Sequence, residues 1–279
     1  MAVRQFKLIN ANGETFDLMR TDAFFHSPDG LGFSIDAEYA QIGNSYQLID
    51  TEAAQKTPTG EMIFSGYSVY MEFAAFIAAS PLKLCYMPIS EWAYLDCIIT
   101  KFSKSEIDHS DNRLHCDIDF TATSKWYIPR TVNRTASEVT NAKKYSYPYP
   151  YQYAESINGI ISLTNNASEE CPSVLTIVGP IVNPSWSLAV AGKVIQSGAV
   201  TATIESGHKL VVSSKDNDLK IAEYVVADNT FVQNLYQASD FTKDNFLIIP
   251  VGTSTLTVTG TSASEISAYI EVEEIHETV

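Results

Sequence analysis

The sequence predicts a mainly β chain in two units. Three observations carry this. Short apolar runs bounded by Gly, Asn, Asp and Ser recur along the chain, helical spacing is convincing only once, and from 124 to 157 the alternation dissolves into polar residues and a Tyr/Pro track. The length of 279 residues suits two domains of ~100–150 residues each. With 45% hydrophobic and 18% charged residues, the chain can fill real cores and is not disordered as a whole.

The N-terminal unit opens on a hairpin: Phe6 and Leu8 alternate, Asn12-Gly13 supplies the turn, and Phe16 and Leu18 answer on the return. Pro28, Gly30 and Gly32 in "HSPDGLGF" (26–33) predict a tight, irregular loop ending in Phe33. Residues of about 36–65 read as a long β-hairpin arm, with "YAQIGNSYQLI" going out and "TGEMIFSG" coming back. Such a ribbon has little to bury on itself, so it is either a floppy excursion or an arm that packs on another subunit. Its candidate intersubunit contacts are Tyr39, Ile42, Tyr46, Leu48, Met62 and Phe64.

Val69, Tyr70, Phe73, Phe76 and Ile77 fall on one helical face, predicting a helix over about 68–80 with Ser68 as N-cap and Pro81 as stop. Strands follow at 82–87, 92–102 and 114–123. In the last, Leu114, Cys116, Ile118, Phe120 and Ala122 take one face, and His115, Asp117, Asp119 and Thr121 the other. The expected units are 1–142, a Tyr/Pro-rich linker over 143–157, and an all-β unit over 158–279 whose short strands recur about every ten residues, as in an antiparallel sandwich.

Charge narrows the partners. Lys plus Arg total 18 against 33 Asp plus Glu, a net −15 that disfavours nucleic acid and anionic lipid. No arginine follows Arg134, and residues 158–279 carry five Lys against fourteen Asp plus Glu, a net −9 that suits a basic protein partner. No apolar run has the length of a signal peptide h-region or a membrane span, so synthesis in a cytoplasm and no membrane insertion are expected. Cys85, Cys97, Cys116 and Cys171 lack C-x-x-C or zinc spacing and read as buried free thiols.

Catalytic motifs are missing: there is no G-x-S-x-G, P-loop, G-x-G-x-x-G after a strand, or H-E-x-x-H. Asp117 and Asp119 share a strand face as paired carboxylates could in a glycosidase, but it is the face where charges belong on a solvated sheet. Asp108, His109, Asp111 and His115 resemble metal ligands, yet they surround a turn that favours the same residues. Asp216 and Asp218 fit a turn better than an EF-hand loop. No enzyme activity, cofactor or metal is expected, and weight moves to a binding or structural role.

The segment "FFHSPDGLGF" resembles the Ser-Pro-acidic-Gly-Leu-Gly-Phe segment of the distal tail proteins of long-tailed bacteriophages (siphovirus-type tail components). The order of "FKLINANGETFDL", the arm, the helix before "SPLKLCYMP", "WAYLDCIITKFSKSEI" and "LHCDIDFTATSKWY" is similar too. "GPIVNPSWSL", "SGHKLVVSS" and "NFLIIPVGTSTLTVTG" resemble the family's C-terminal galectin-like β-sandwich.

The resemblance implies a ring-forming N-terminal domain whose arm embraces its neighbour in a homohexamer at the virion tail tip. It further implies a structural hub joining the tail tube protein to the tail-associated fibre or lysin protein and carrying receptor-binding or baseplate proteins. The alternative is a carbohydrate-binding adhesin that uses the C-terminal sandwich, with Trp186 and His208 as the sugar contacts; a buried Trp is the commoner fate. Tyr145, Tyr147, Tyr149, Tyr151 and Tyr153, interleaved with Pro148 and Pro150, read as a rigid interdomain strap or an intersubunit contact. The sequence leaves open whether "EVEEIHETV" stays with the sandwich or returns to the first domain.

Overall fold

A computed structural model of the chain describes residues 4–135, 159–262 and 266–279. The expected linker, its five tyrosines included, lies outside the described residues. Contacts divide the chain into two compact units, Met1–Ile128 with Ile275–Val279, and Pro129–Glu274. The fold class is mainly β, as predicted.

Unit 1 runs β1 (Gln5–Ile9), β2 (Thr15–Asp17), β3 (Ala23–Asp29), β4 (Ile35–Ile42), β5 (Ser45–Ala53), β6 (Thr59–Phe64), α1 (Tyr67–Ile77), β7 (Leu82–Met87), β8 (Ala93–Phe102), β9 (Ile107–Asp108) and β10 (Arg113–Ala122); the division falls within β11 (Trp126–Thr135). β1 and β2 form the first hairpin, with Leu8 opposite Phe16. Strand β8 serves three neighbours, its first half pairing with β7 and, at Tyr94, with β11, and its second half with β10. Outward from β10, β6 pairs next and β3 lies beyond it.

The alternation in β10 holds: Leu114, Cys116, Ile118, Phe120 and Ala122 are all buried in the core. The five residues predicted on one face of α1 meet the same core, Phe73 fully buried and Val69, Tyr70, Phe76 and Ile77 packed against it. The predicted Ser68 cap is not used. The helix starts after Gly66, which lies in extended backbone and has no capping side chain, so tertiary packing rather than a cap holds this end. The loop predicted at 26–33 is half strand: β3 runs on through His26 to Asp29 across a register shift, with Ser27 at φ 46.

All four cysteines are buried thiols. Burial pushes the Cys85 and Cys97 thiols up to about 12, which keeps them neutral packing groups. The chain's end belongs to unit 1: Val279 packs against its core and Glu277 pairs with Lys125 at 2.8 Å.

Unit 2 holds β12 (Gly159–Asn165), β13 (Cys171–Val178), β14 (Ile181–Val190), β15 (Lys193–Ala199), β16 (Thr203–Ile204), β17 (His208–Ser213), β18 (Lys220–Val225), β19 (Phe231–Asn234), β20 (Ile248–Ile249), β21 (Gly252–Thr261) and β22 (Ser267–His276, which ends in unit 1). One antiparallel sheet runs β12-β21-β14-β15 and another β19-β18-β17-β13-β22. Strands β15 and β19 were not expected. Strand β19 is exposed at all four residues and β15 at its first three, with only Gly198 buried, so neither shows the apolar alternation that marks a half-buried strand. No helix among the described residues is long and apolar enough to cross a membrane.

Candidate assembly surface: the arm and its root

The arm is β4 and β5, which among the described residues pair only with each other. It turns at Gly43, whose φ of 63 is the left-handed conformation that the two-residue connection Gly43-Asn44 needs. The turn is tied by Ser45 Oγ donating to the Ile42 carbonyl at 3.0 Å and Gln41 Nε2 donating to the Gly43 carbonyl at 3.1 Å.

Of its seventeen strand residues only Ala40 is even half-buried. The apolar ones stand out: Tyr46 is 72% exposed, Tyr39 59% and Leu48 49%.

Register sorts these residues by face. Ile35 lies opposite Ala53, Ala37 opposite Thr51, Tyr39 opposite Leu48 and Gln41 opposite Tyr46, so one face carries no charge. Asp36 lies opposite Glu52 and Glu38 opposite Asp50, so the other face carries all four of the arm's charges, every one acidic. Ile49 is the extra residue where the register shifts between Glu38 and Tyr39. Two like-charged pairs directly across a ribbon oppose its folding, by a few tenths of a kcal/mol to ~1 kcal/mol each.

The root of the arm explains "SPDGLGF". Leu31 is partly buried against the unit 1 core. Gly30, at φ +75, runs so close to the returning chain that an added Cβ would stand 2.8 Å from the Thr57 carbonyl oxygen. Lys56 is only 5% exposed and donates to the Gly32 carbonyl at 2.8 Å, its ammonium 5.7 Å from the centre of the Phe33 ring. On the other side Gln55 Nε2 donates to the Ala122 carbonyl at 2.7 Å, and Ala122 N–H donates to the Lys56 carbonyl at 2.9 Å. A buried lysine therefore ties both ends of the arm to β10. Nothing in the sequence marked Lys56, which sits in a polar connection between predicted strands.

Two arm assignments need correction. Met62 and Phe64 are fully buried in unit 1, because β6 lies between β3 and β10 rather than returning along the arm. They are core residues and are not available to another subunit. Tyr39, Tyr46 and Leu48 do share the uncharged face, while Ile42 falls on the other.

Several of the remaining candidates have structural partners. Trp186 is 2% exposed, and its Nε1 donates to the Asn245 carbonyl at 3.1 Å, so it cannot stack on a sugar; an added Cβ on Gly198 would collide with its ring. His208 Nδ1 lies 2.6 Å from an oxygen of buried Glu223. Asp117 pairs with Lys101 at 3.3 Å on the solvated face. Asp218 pairs with Lys220 at 2.8 Å.

His115 sits between Asp111, 2.8 Å from Nε2, and Glu61, 2.9 Å from Nδ1; these hydrogen bonds, Asp111's first, favour the charged ring and raise its pKa. Asp108 accepts from the Ser110 N–H at 2.7 Å, the turn chemistry expected there. Among the described residues no group of three or more His, Cys, Asp or Glu fits a metal ion.

Comparison with known proteins places this geometry. Residues 5–123 match the family model described as "Distal tail protein, N-terminal domain". A search of curated protein sequences returns no match. Among solved structures, the chain is similar to one from the phage p2 baseplate in its activated conformation with strontium, at TM-score 0.66 and 16% identity over all of both chains. It is also similar to the Dit protein of phage SPP1, described as a paradigm of the hub adsorption apparatus in phages that infect Gram-positive bacteria. There the TM-score is 0.61 and the identity 10%, over 96% of this chain and 98% of that one. At such identities the likeness speaks to the fold, and it extends over both units. The match over residues 5–123 takes in the arm, its root and the helix, so these are the elements that this chain shares with the N-terminal domain of distal tail proteins.

Proposed function

We propose that this chain is a distal tail protein, the structural hub of a phage, or prophage-derived, tail tip. Copies close into a homohexameric ring through unit 1, each arm lying on the next copy. The ring joins the tail tube protein to the tail-associated fibre or lysin protein, and unit 2, read as the galectin-like sandwich, carries receptor-binding or baseplate components. The observation that carries this reading is the arm, an all-exposed two-stranded ribbon with one wholly uncharged face, held at its root by a buried lysine. A ribbon of that kind is marginal in water on its own, and packing on a neighbour supplies what it lacks.

Whole-chain likeness to a baseplate chain and to a hub protein supports the same reading. The test is negative-stain microscopy of the purified full chain, in which six-fold rings are expected. Glycan-array binding by the full chain, abolished by changes in unit 2, would instead favour the adhesin alternative, for which buried Trp186 offers no contact.

A further inference from the structure

We propose that the arm docks one-sided: the face of Ile35, Tyr39, Tyr46 and Leu48 is buried on a second copy of this chain, and the face of Asp36, Glu38, Asp50 and Glu52 stays in water. This rests on the ring reading and adds to it which side of the ribbon makes the contact. Register separates the two faces completely, since every charge of the arm falls on one of them.

Charge then decides which face meets another copy. The chain carries a net −15, so a copy presents a predominantly acidic surface. Four unpaired carboxylates laid against it would be desolvated and repelled, whereas the other face, with Gln41 and Thr51 as its polar members beside tyrosine, leucine and isoleucine, buries no charge. None of these four carboxylates has an ion-pair partner among the described residues.

Size argues for a copy rather than an unrelated partner. A strand of eight residues is about 27 Å long and a two-stranded ribbon about 10 Å wide, so one face covers on the order of 300 Å². A specific interface needs about 800 Å² per partner. The face is too small to hold a partner alone and fits as the extension of a contact that the bodies of two copies already share. In a ring each copy gives one arm and receives one.

The experiment is mass photometry of the full chain across a dilution series, with two double variants. Tyr39→Asp with Leu48→Asp places charges on the uncharged face and is expected to weaken self-association about a hundredfold or more, yielding monomers. Glu38→Lys with Asp50→Lys reverses the acidic face and is expected to leave the oligomer intact. Both pairs lie outside the core, and unchanged thermal unfolding of the monomer checks that each variant folds.

Oligomers that survive Tyr39→Asp with Leu48→Asp would overturn the sidedness while leaving the ring standing, and would point to a different protein as the occupant of that face. Loss of the oligomer in the Glu38→Lys, Asp50→Lys pair would show the acidic face in contact and overturn it too. A monomeric wild type would remove the ring reading itself.

Discussion

Strands β5 and β6 are separated by five residues and both carry large apolar side chains, yet their fates are opposite. Tyr46 and Leu48 of β5 are exposed, while Met62 and Phe64 of β6 are completely buried. The difference lies in neighbours. Strand β6 is flanked by β3 and β10 and turns one face onto the core; β5 has β4 alone. Apolar content thus states that a strand needs a cover, and only the sheet order says whether that cover is the same molecule or another.

Truncation should expose this contrast most strongly. Phe64→Ala removes a buried ring that touches Tyr70, Phe73 and Phe102, and should cost about 3–5 kcal/mol in urea unfolding. Tyr39→Ala should change the monomer's stability by less than about 0.5 kcal/mol and act on self-association instead. Equal losses of stability would erase the distinction.

Gly30→Ala comes next. It forces a side chain into the left-handed region 2.8 Å from the Thr57 carbonyl, and should cost about 1–3 kcal/mol and loosen the root. Lys56→Met keeps the packing volume but orphans the Gly32 carbonyl, at about 1–2 kcal/mol. Hydrogen exchange should quicken at the amides of Ile35–Ala53 and not in β10. Uniform quickening would make Lys56 a core residue and not a clamp.

The smallest effect concerns pH. Asp111, then Glu61, stabilise charged His115, so the folded ring's pKa stands above its ordinary value of about 6.5. That stabilisation is complete below about 6.5 and is lost as pH rises through the raised folded value. Asp111 is held below about 3.8, chiefly by His115, so its share is present above that value and lost as pH falls through the depressed one. The contact is strongest between the two, and His115→Gln should remove the fall in urea midpoint between pH 5.5 and 8. A fall that persists in the variant would assign it to another group.

Much of unit 1 was legible because its elements announce themselves locally. The strand with Leu114, Cys116 and Ile118 inward and Asp117 and Asp119 outward shows a period of two, and Val69 to Ile77 shows a helical face. The arm's boundaries were not legible. Gly43-Asn44 is the turn, but it lies inside one apolar stretch, "YAQIGNSYQLI", that reads as a single outgoing strand, which pushed the return onto β6.

The root was half legible: the glycines of "SPDGLGF" mark an unusual backbone, but its partner Lys56 lies 24 residues beyond Gly32 and is joined to it only by folding. Trp186 was legible in kind but not in partner. An aromatic beside Asn and Pro reads more often as core than as a ligand platform, and the carbonyl that its indole meets, that of Asn245, lies 59 residues away.

The central claim is that this chain assembles through its arm into the ring of a tail-tip hub. Negative-stain images of the purified full chain test it most directly. The account predicts six-fold rings in the wild type, lost on Tyr39→Asp with Leu48→Asp, and a monodisperse monomer in the wild type at micromolar concentration would contradict it.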